Sequence, residues 1–161
     1  MAPRKMEGAV NLLEEETMDV HTNWLAVIVA ALAHFFLVWA WHSKLLFMKT
    51  WAKEMGMDKM SKKEQRENMK KMPVSMAGNF AALIVTGWVL SYVIVFSSAY
   101  YKITGLQAGI QSAIWIWLGF YATTALNMVF WEGRSWKLYF INASYHLVGL
   151  LLMGGIIASW M

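Results

Sequence analysis

Four stretches of this 161-residue sequence run for more than twenty residues almost without charge, and no other feature restricts its fold so severely. They cover about residues 24–47, 74–101, 105–131 and 138–161, and the one formal charge inside them is Lys44, close enough to an end to snorkel. A helix needs about 20 mostly apolar residues to cross a bilayer core of about 30 Å. The runs are continuous rather than alternating, so they read as helices and not as barrel strands. The expected fold is all-α: a polytopic membrane protein with four transmembrane helices in an antiparallel bundle. Residues 1–22 read as an acidic tail ahead of a single domain, 23–161. The first span is too long for the apolar core of a cleaved signal peptide, it lacks a short basic segment ahead of it, and acidic residues precede it.

Composition agrees. The chain is 58% hydrophobic and 15% charged, against about 45–50% and about 25% in ordinary soluble domains. With no Cys, disulfides, iron–sulfur clusters and thiol nucleophiles are excluded. The net charge of +4 is local rather than global. Between Lys44 and Lys71 nine Lys or Arg face four acids, whereas the N-terminal tail is acidic. A basic block beside a membrane span is an orientation signal and not a nucleic-acid footprint. The turn at 132–137 adds Arg134 and Lys137, and the 102–104 connection has only Lys102. This pattern places the 48–73 loop and the 132–137 turn in the cytoplasm of a cell with both termini outside. Trp24, Tyr100, Tyr101 and Trp160 then fall at the outer rim, and Trp51, Trp131, Trp136 and Tyr139 at the inner one, as interfacial aromatics should.

The spacing of Met48, Trp51, Ala52 and Met55 predicts that the first helix continues beyond the headgroups as an amphipathic extension stopped at Gly56. Ser61 with Glu64 makes a capping-box pattern, predicting a second short helix from about Lys62 to Met72. Pro73 then marks the start of the second span. The M-x-M-x-x-M spacing of Met55, Met57 and Met60 has the soft donors of a Cu(I) site, but no His or Cys accompanies them, and gripping the membrane surface explains them as well. In the tail, Leu12 and Leu13 before Glu14–Glu16 have the pattern of a short interfacial helix.

Ionisable groups within a membrane are functional candidates by default. Here they are histidines. Measured from the cytoplasmic ends of the spans, His42 lies about 7–8 Å deep, His146 about 12 Å and His34 about 19–20 Å. His42 and His146 are therefore expected to approach each other, with His34 needing another partner. Asn142, Tyr145, His146, Gly149 and Met153 share one stripe of the fourth helix. Together these positions predict a polar cluster in the inner half: His42, Ser43, Asn127, Glu132, Asn142, Tyr145 and His146. Its functional meaning is a small-ligand, lipid-headgroup or proton site open to the cytoplasm. Its structural meaning is interhelical hydrogen bonding of about 0.6–2 kcal/mol per contact. Bis-histidine haem ligation conflicts with the unequal depths, so no cofactor is predicted. G-x-x-x-G at Gly105/Gly109, with Gly78/Ala82 and Gly155/Ser159 as looser versions, marks close helix approach.

Two runs resemble a known family. The first is Asn23-Trp24-Leu25-Ala26-Val27, followed by Trp39-Ala40-Trp41-His42-Ser43, Leu46-Phe47 and Trp51. The second is Phe130-Trp131-Glu132-Gly133-Arg134, then Lys137-Leu138, Ile141-Asn142-Ala143-Ser144-Tyr145-His146-Leu147 and Met153-Gly154. Both are similar to the bacterial family of small four-helix membrane proteins catalogued as domain of unknown function 1761. The resemblance implies the four-span fold over about residues 23–160 and carries no activity with it. No hydrolase, zincin or phosphate-loop signature is present. The leading expectation is a non-enzymatic structural or accessory component of a bacterial inner membrane. Its partners would be the bilayer and, through helix packing, copies of itself or a larger complex, with no nucleic acid. The alternative is a small-molecule or lipid-binding protein built on the His146 cluster, and haem or copper binding comes last.

Overall fold

A computed structural model describes residues 21–161, so the tail and its expected interfacial helix lie outside the described residues. Five helices make up the described fold: α1 Trp24–Trp41, α2 Met48–Glu54, α3 Lys62–Tyr101, α4 Gly105–Phe130 and α5 Trp136–Ser159. All except α2 are long and apolar enough to cross a membrane. At 1.5 Å per residue α1 is about 27 Å long, and α4 and α5 are about 36–39 Å. The four form an antiparallel bundle with α5 at its centre, packed against α4 on one side and α1 on the other, and α3 closing the group.

Each helix begins where its sequence permits. Asn23 caps α1 by accepting the Ala26 amide on Oδ1 (3.1 Å), while its Nδ2 donates to the Trp160 carbonyl (3.3 Å) and so ties the start of α1 to the end of α5. Ser135 caps α5 by accepting the Leu138 amide, so the helix starts at Trp136, two residues before the expected start of the span. The expected capping box is formed at α3: Ser61 Oγ accepts the Glu64 amide and Glu64 Oε2 accepts the Ser61 amide.

Three boundaries differ from the sequence expectation. The first helix stops at Trp41 and does not continue to Phe47 or beyond. His42 and Ser43 divert the chain: the His42 ring bonds the Val38 carbonyl, Ser43 Oγ accepts the Leu45 amide, and the Phe47 amide turns back to the Trp41 carbonyl. Such local side-chain bonds compete with helix propagation. The amphipathic segment is therefore a separate helix, α2, folded back against α5 and ended before Gly56, whose φ of +69° suits glycine. Thirdly, the helix that starts at Lys62 does not end at Met72. It runs through Pro73 as one 40-residue rod of about 60 Å. Proline there frees only the carbonyl of Met69, a residue in a fully exposed stretch where water can satisfy it.

The centre of the bundle is built from small residues. Gly109 of α4 lies directly on the Gly154 backbone of α5 and Ala113 continues that contact, while Ser112 Oγ donates to the Val93 carbonyl of α3 (3.5 Å); these three and Ala108 are buried. Gly87 of α3 faces α1 and α5: a Cβ there would lie 2.9 Å from Met153 Cε and 3.2 Å from Val27 Cγ1. Of the sequence-flagged glycine pairs only Gly109 makes a backbone crossing. Gly105 and Gly78 have open space around them.

Beyond Ile116, α4 widens into a π-helical turn over Trp117–Ala122. Two bonds to α5 fasten it, Trp117 Nε1 donating to the Ala143 carbonyl (2.8 Å) and Tyr139 Oη to the Ala122 carbonyl (3.2 Å). Wide turns inside helices rotate everything that follows them.

Candidate site at the α2 end of the bundle

Where α1 ends and α2 folds back, α1, α2, α3 and α5 enclose an open cavity of about 700 Å³, within the about 300–1,000 Å³ usual for small-ligand sites. Its walls are mainly apolar: Phe35, Val38 and Trp39 from α1, Met48 and Trp51 from α2, Met72 and Met76 from α3. Hydrogen-bonding groups gather on the α1–α2 turn and on the facing sides of α3 and α5. They are His42, Ser43, Lys44, Ser75, Asn79, Asn142 and Tyr145. Of these only Lys44 carries a formal charge, and no carboxylate among the described residues lines the cavity.

The His42 ring is held in place. Its Nδ1 lies 2.9 Å from the Val38 carbonyl, and a carbonyl only accepts, so Nδ1 carries the proton and Nε2 is left as an acceptor in the neutral ring. Trp51 meets it edge-on at 5.1 Å and Tyr145 at 5.2 Å. Helix α2 thus delivers an indole to an imidazole that the break in α1 has already fixed.

Behind Tyr145 a second group of rings fills the bundle. His146 lies against Tyr145 (centroids 4.1 Å) and Tyr121 (3.6 Å). His34, fully buried, stands 6.1 Å from His146 and 6.4 Å from Tyr145. Its Nδ1 is 3.1 Å from Met153 Sδ, and its Nε2 edge abuts Gly149 and has no hydrogen-bond partner among the described residues. Neither nitrogen faces a space that would admit a porphyrin.

Of the residues the sequence assigns to one polar cluster, His42, Ser43, Asn142 and Tyr145 surround the cavity. His146 is one residue beyond, turned into the ring cluster with His34. His34, expected to need another partner, stands beside His146, and His42 is also near enough to act on His146 electrostatically. The cause is the early end of α1. With the helix ending at Trp41, His34 is seven residues from that end, which brings it level with His146 on α5. Asn127 and Glu132 are not in the site. Both are exposed, and Glu132 pairs loosely with Arg134 (3.9 Å). The π-helical turn lies between the well-packed part of α4 and Asn127 and changes the face on which later residues emerge.

Sequence reasoning missed Lys44, Trp51 and the α3 side of the site as lining groups. For α3 the available signal was Asn79, an amide set early in an otherwise apolar span. Met55, Met57 and Met60 stand apart from the cavity, and Met60 Sδ accepts from Asn68 Nδ2 (3.5 Å). No group of three or more His, Cys, Asp or Glu that would hold a metal occurs among the described residues.

Four apolar spans with a mainly apolar cavity at one end, edged by hydrogen-bonding groups, define a small α-helical membrane protein. Residues 25–158 match the model of a family described as protein of unknown function (DUF1761), and the chain belongs to that family. No curated protein and no solved structure matches it.

Proposed function

We propose that this protein holds an amphiphile, a lipid or lipid-like small molecule, in the cavity between α1, α2, α3 and α5. One observation carries the reading. The cavity joins an apolar wall to a cluster of hydrogen-bonding groups, and the side chains of Lys44, Asn79, Asn142 and the Tyr145 hydroxyl make no hydrogen bond among the described residues. A hydrocarbon portion fits Phe35, Val38, Met72 and Met76, while a polar head meets Lys44, His42 Nε2 and the amides. Purely structural hydrogen-bond glue would pair these groups with one another across the helices.

In this reading the protein sits in a bacterial inner membrane with both termini outside and the 48–73 loop in the cytoplasm. The nine basic residues between Lys44 and Lys71 support that orientation. The cavity then opens at the level of the inner headgroups, where such a ligand is abundant. No cofactor and no catalytic step belong to this reading.

Native mass spectrometry tests it. Protein stripped of lipid in mild detergent is titrated with dioleoyl phosphatidylglycerol and, separately, with glycerol phosphate. One lipid per chain should be retained and glycerol phosphate should not. Ser75→Phe, which fills the cavity from the exposed side of α3, should abolish retention. Absence of a retained lipid, or retention unchanged in Ser75→Phe, overturns the proposal.

A further inference from the structure

The outward face of α4 carries polar side chains where it faces away from the bundle. α4 turns its small residues, Ala108, Gly109, Ser112 and Ala113, inward onto its neighbours. Its opposite side carries a groove of about 590 Å³ walled by Leu106, Gln107, Ile110, Gln111, Ile114 and Trp115. Two of these are amides, one helical turn apart, and neither side chain makes a hydrogen bond among the described residues. Depth makes that costly. Gly109 lies on Gly154, six residues along α5 from Trp160, and Gln111 is two residues further in. Gln111 therefore sits about 12 Å inward of the Trp160 end. Acyl chains offer an amide nothing, and a polar side chain at that depth is satisfied by another helix.

We infer that this face of α4 is the contact surface for a second copy of the same chain. An amide holds a donor and an acceptor in one group. A two-fold axis beside Gln111 would let each copy's amide donate to and accept from its counterpart, with no further residue required. Gln107, Gln111 and Trp115 follow i, i+4, i+8 spacing, so they form one ridge along the helix. Leu106, Ile110 and Ile114 form the next ridge, and the groove between the two ridges accepts the partner's ridge. The surface lies on a different helix from the cavity and does not depend on it.

The chain has no Cys, so single cysteines report contacts without background. Ile114→Cys in native membranes should form a disulfide-linked dimer under mild oxidation, visible at twice the chain mass on a non-reducing gel. Val85→Cys, at least as exposed but on α3, should not. Adding Gln107→Leu and Gln111→Leu to Ile114→Cys should lower the dimer yield by about threefold or more, while circular dichroism of the purified variant checks that the helices are retained. Three results would overturn the inference: linkage no greater at Ile114 than at Val85, yield unchanged without the amides, or a product whose mass is not that of two chains.

Discussion

The ring of His34 occupies the space that a Cβ on Gly149 would fill. Only glycine lets α1 and α5 come together with an imidazole between them, and the ring is then braced by Met153 on its other nitrogen. Gly149→Ala should therefore destabilise the bundle by about 1–3 kcal/mol, the usual cost of overpacking a filled interior. His34→Ala vacates the same space, so the double variant should recover part of the loss relative to His34→Ala alone. A denaturant titration in detergent followed by circular dichroism measures both. Additive costs would show that the ring and the glycine are not in contact.

Glycines elsewhere should behave according to what faces them. A Cβ on Gly109 would run into the Gly154 backbone, which cannot move without separating α4 from α5. Gly78, mid-helix in α3, has nothing within 4 Å. Gly109→Ala is expected to lower the unfolding midpoint, whereas Gly78→Ala should leave it unchanged or raise it by the about 0.5–1 kcal/mol that helical Ala gains over Gly. Equal effects at both positions would remove the distinction between a crossing and an open glycine.

These contrasts show where sequence reading succeeds and where it stops. The four spans are legible because an apolar run of bilayer length has few alternative explanations. The Ser61–Glu64 cap is legible because its pattern is local. The end of α1 is not. His42 and Ser43 stop it through bonds to their own backbone, and hydropathy averages across such a break. That one displaced boundary also misplaces His34, because depths counted along a helix inherit the error of its end. Asn142 and Tyr145 can be grouped from sequence because they share a helical stripe. Asn127 escapes such counting because a π-helical turn has no composition signature, and Lys44 has the sequence position of a snorkelling residue although it reaches a cavity wall.

Ser61 sets the start of the long rod. Its hydroxyl accepts the Glu64 amide at 3.3 Å, and the Glu64 carboxylate returns the bond at 2.7 Å. Ser61→Ala removes the first bond and should cost about 1 kcal/mol locally. The exposed part of α3 before Val74 packs on little else, so the loss should appear there as faster amide exchange over 62–66. Unfolding of the membrane-crossing helices should not change. Ser61→Asp keeps an acceptor at the cap and should exchange like the original. If Ser61→Ala exchanges as slowly as the original protein, the cap is not what holds the end of the rod.

The proposed orientation rests on where the lysines lie and can be tested from either end of α3. Residue 61 precedes the helix and residue 104 follows it, and the about 60 Å between them exceeds any hydrocarbon core. Both positions are exposed, and the absence of native cysteine keeps labelling specific. In intact cells an impermeant maleimide should label Thr104→Cys promptly and leave Ser61→Cys unlabelled until the membrane is opened. Moving a lysine out through the bilayer costs about 2.5–3.5 kcal/mol at its centre even by insertion scales. In the proposed orientation that cost would hold a segment carrying Lys62, Lys63, Arg66, Lys70 and Lys71 on the side where it was made. Prompt labelling at 61 with protection at 104 would invert the bundle and put the cavity at the outer headgroups. Labelling at both positions in intact cells would mean that α3 does not cross.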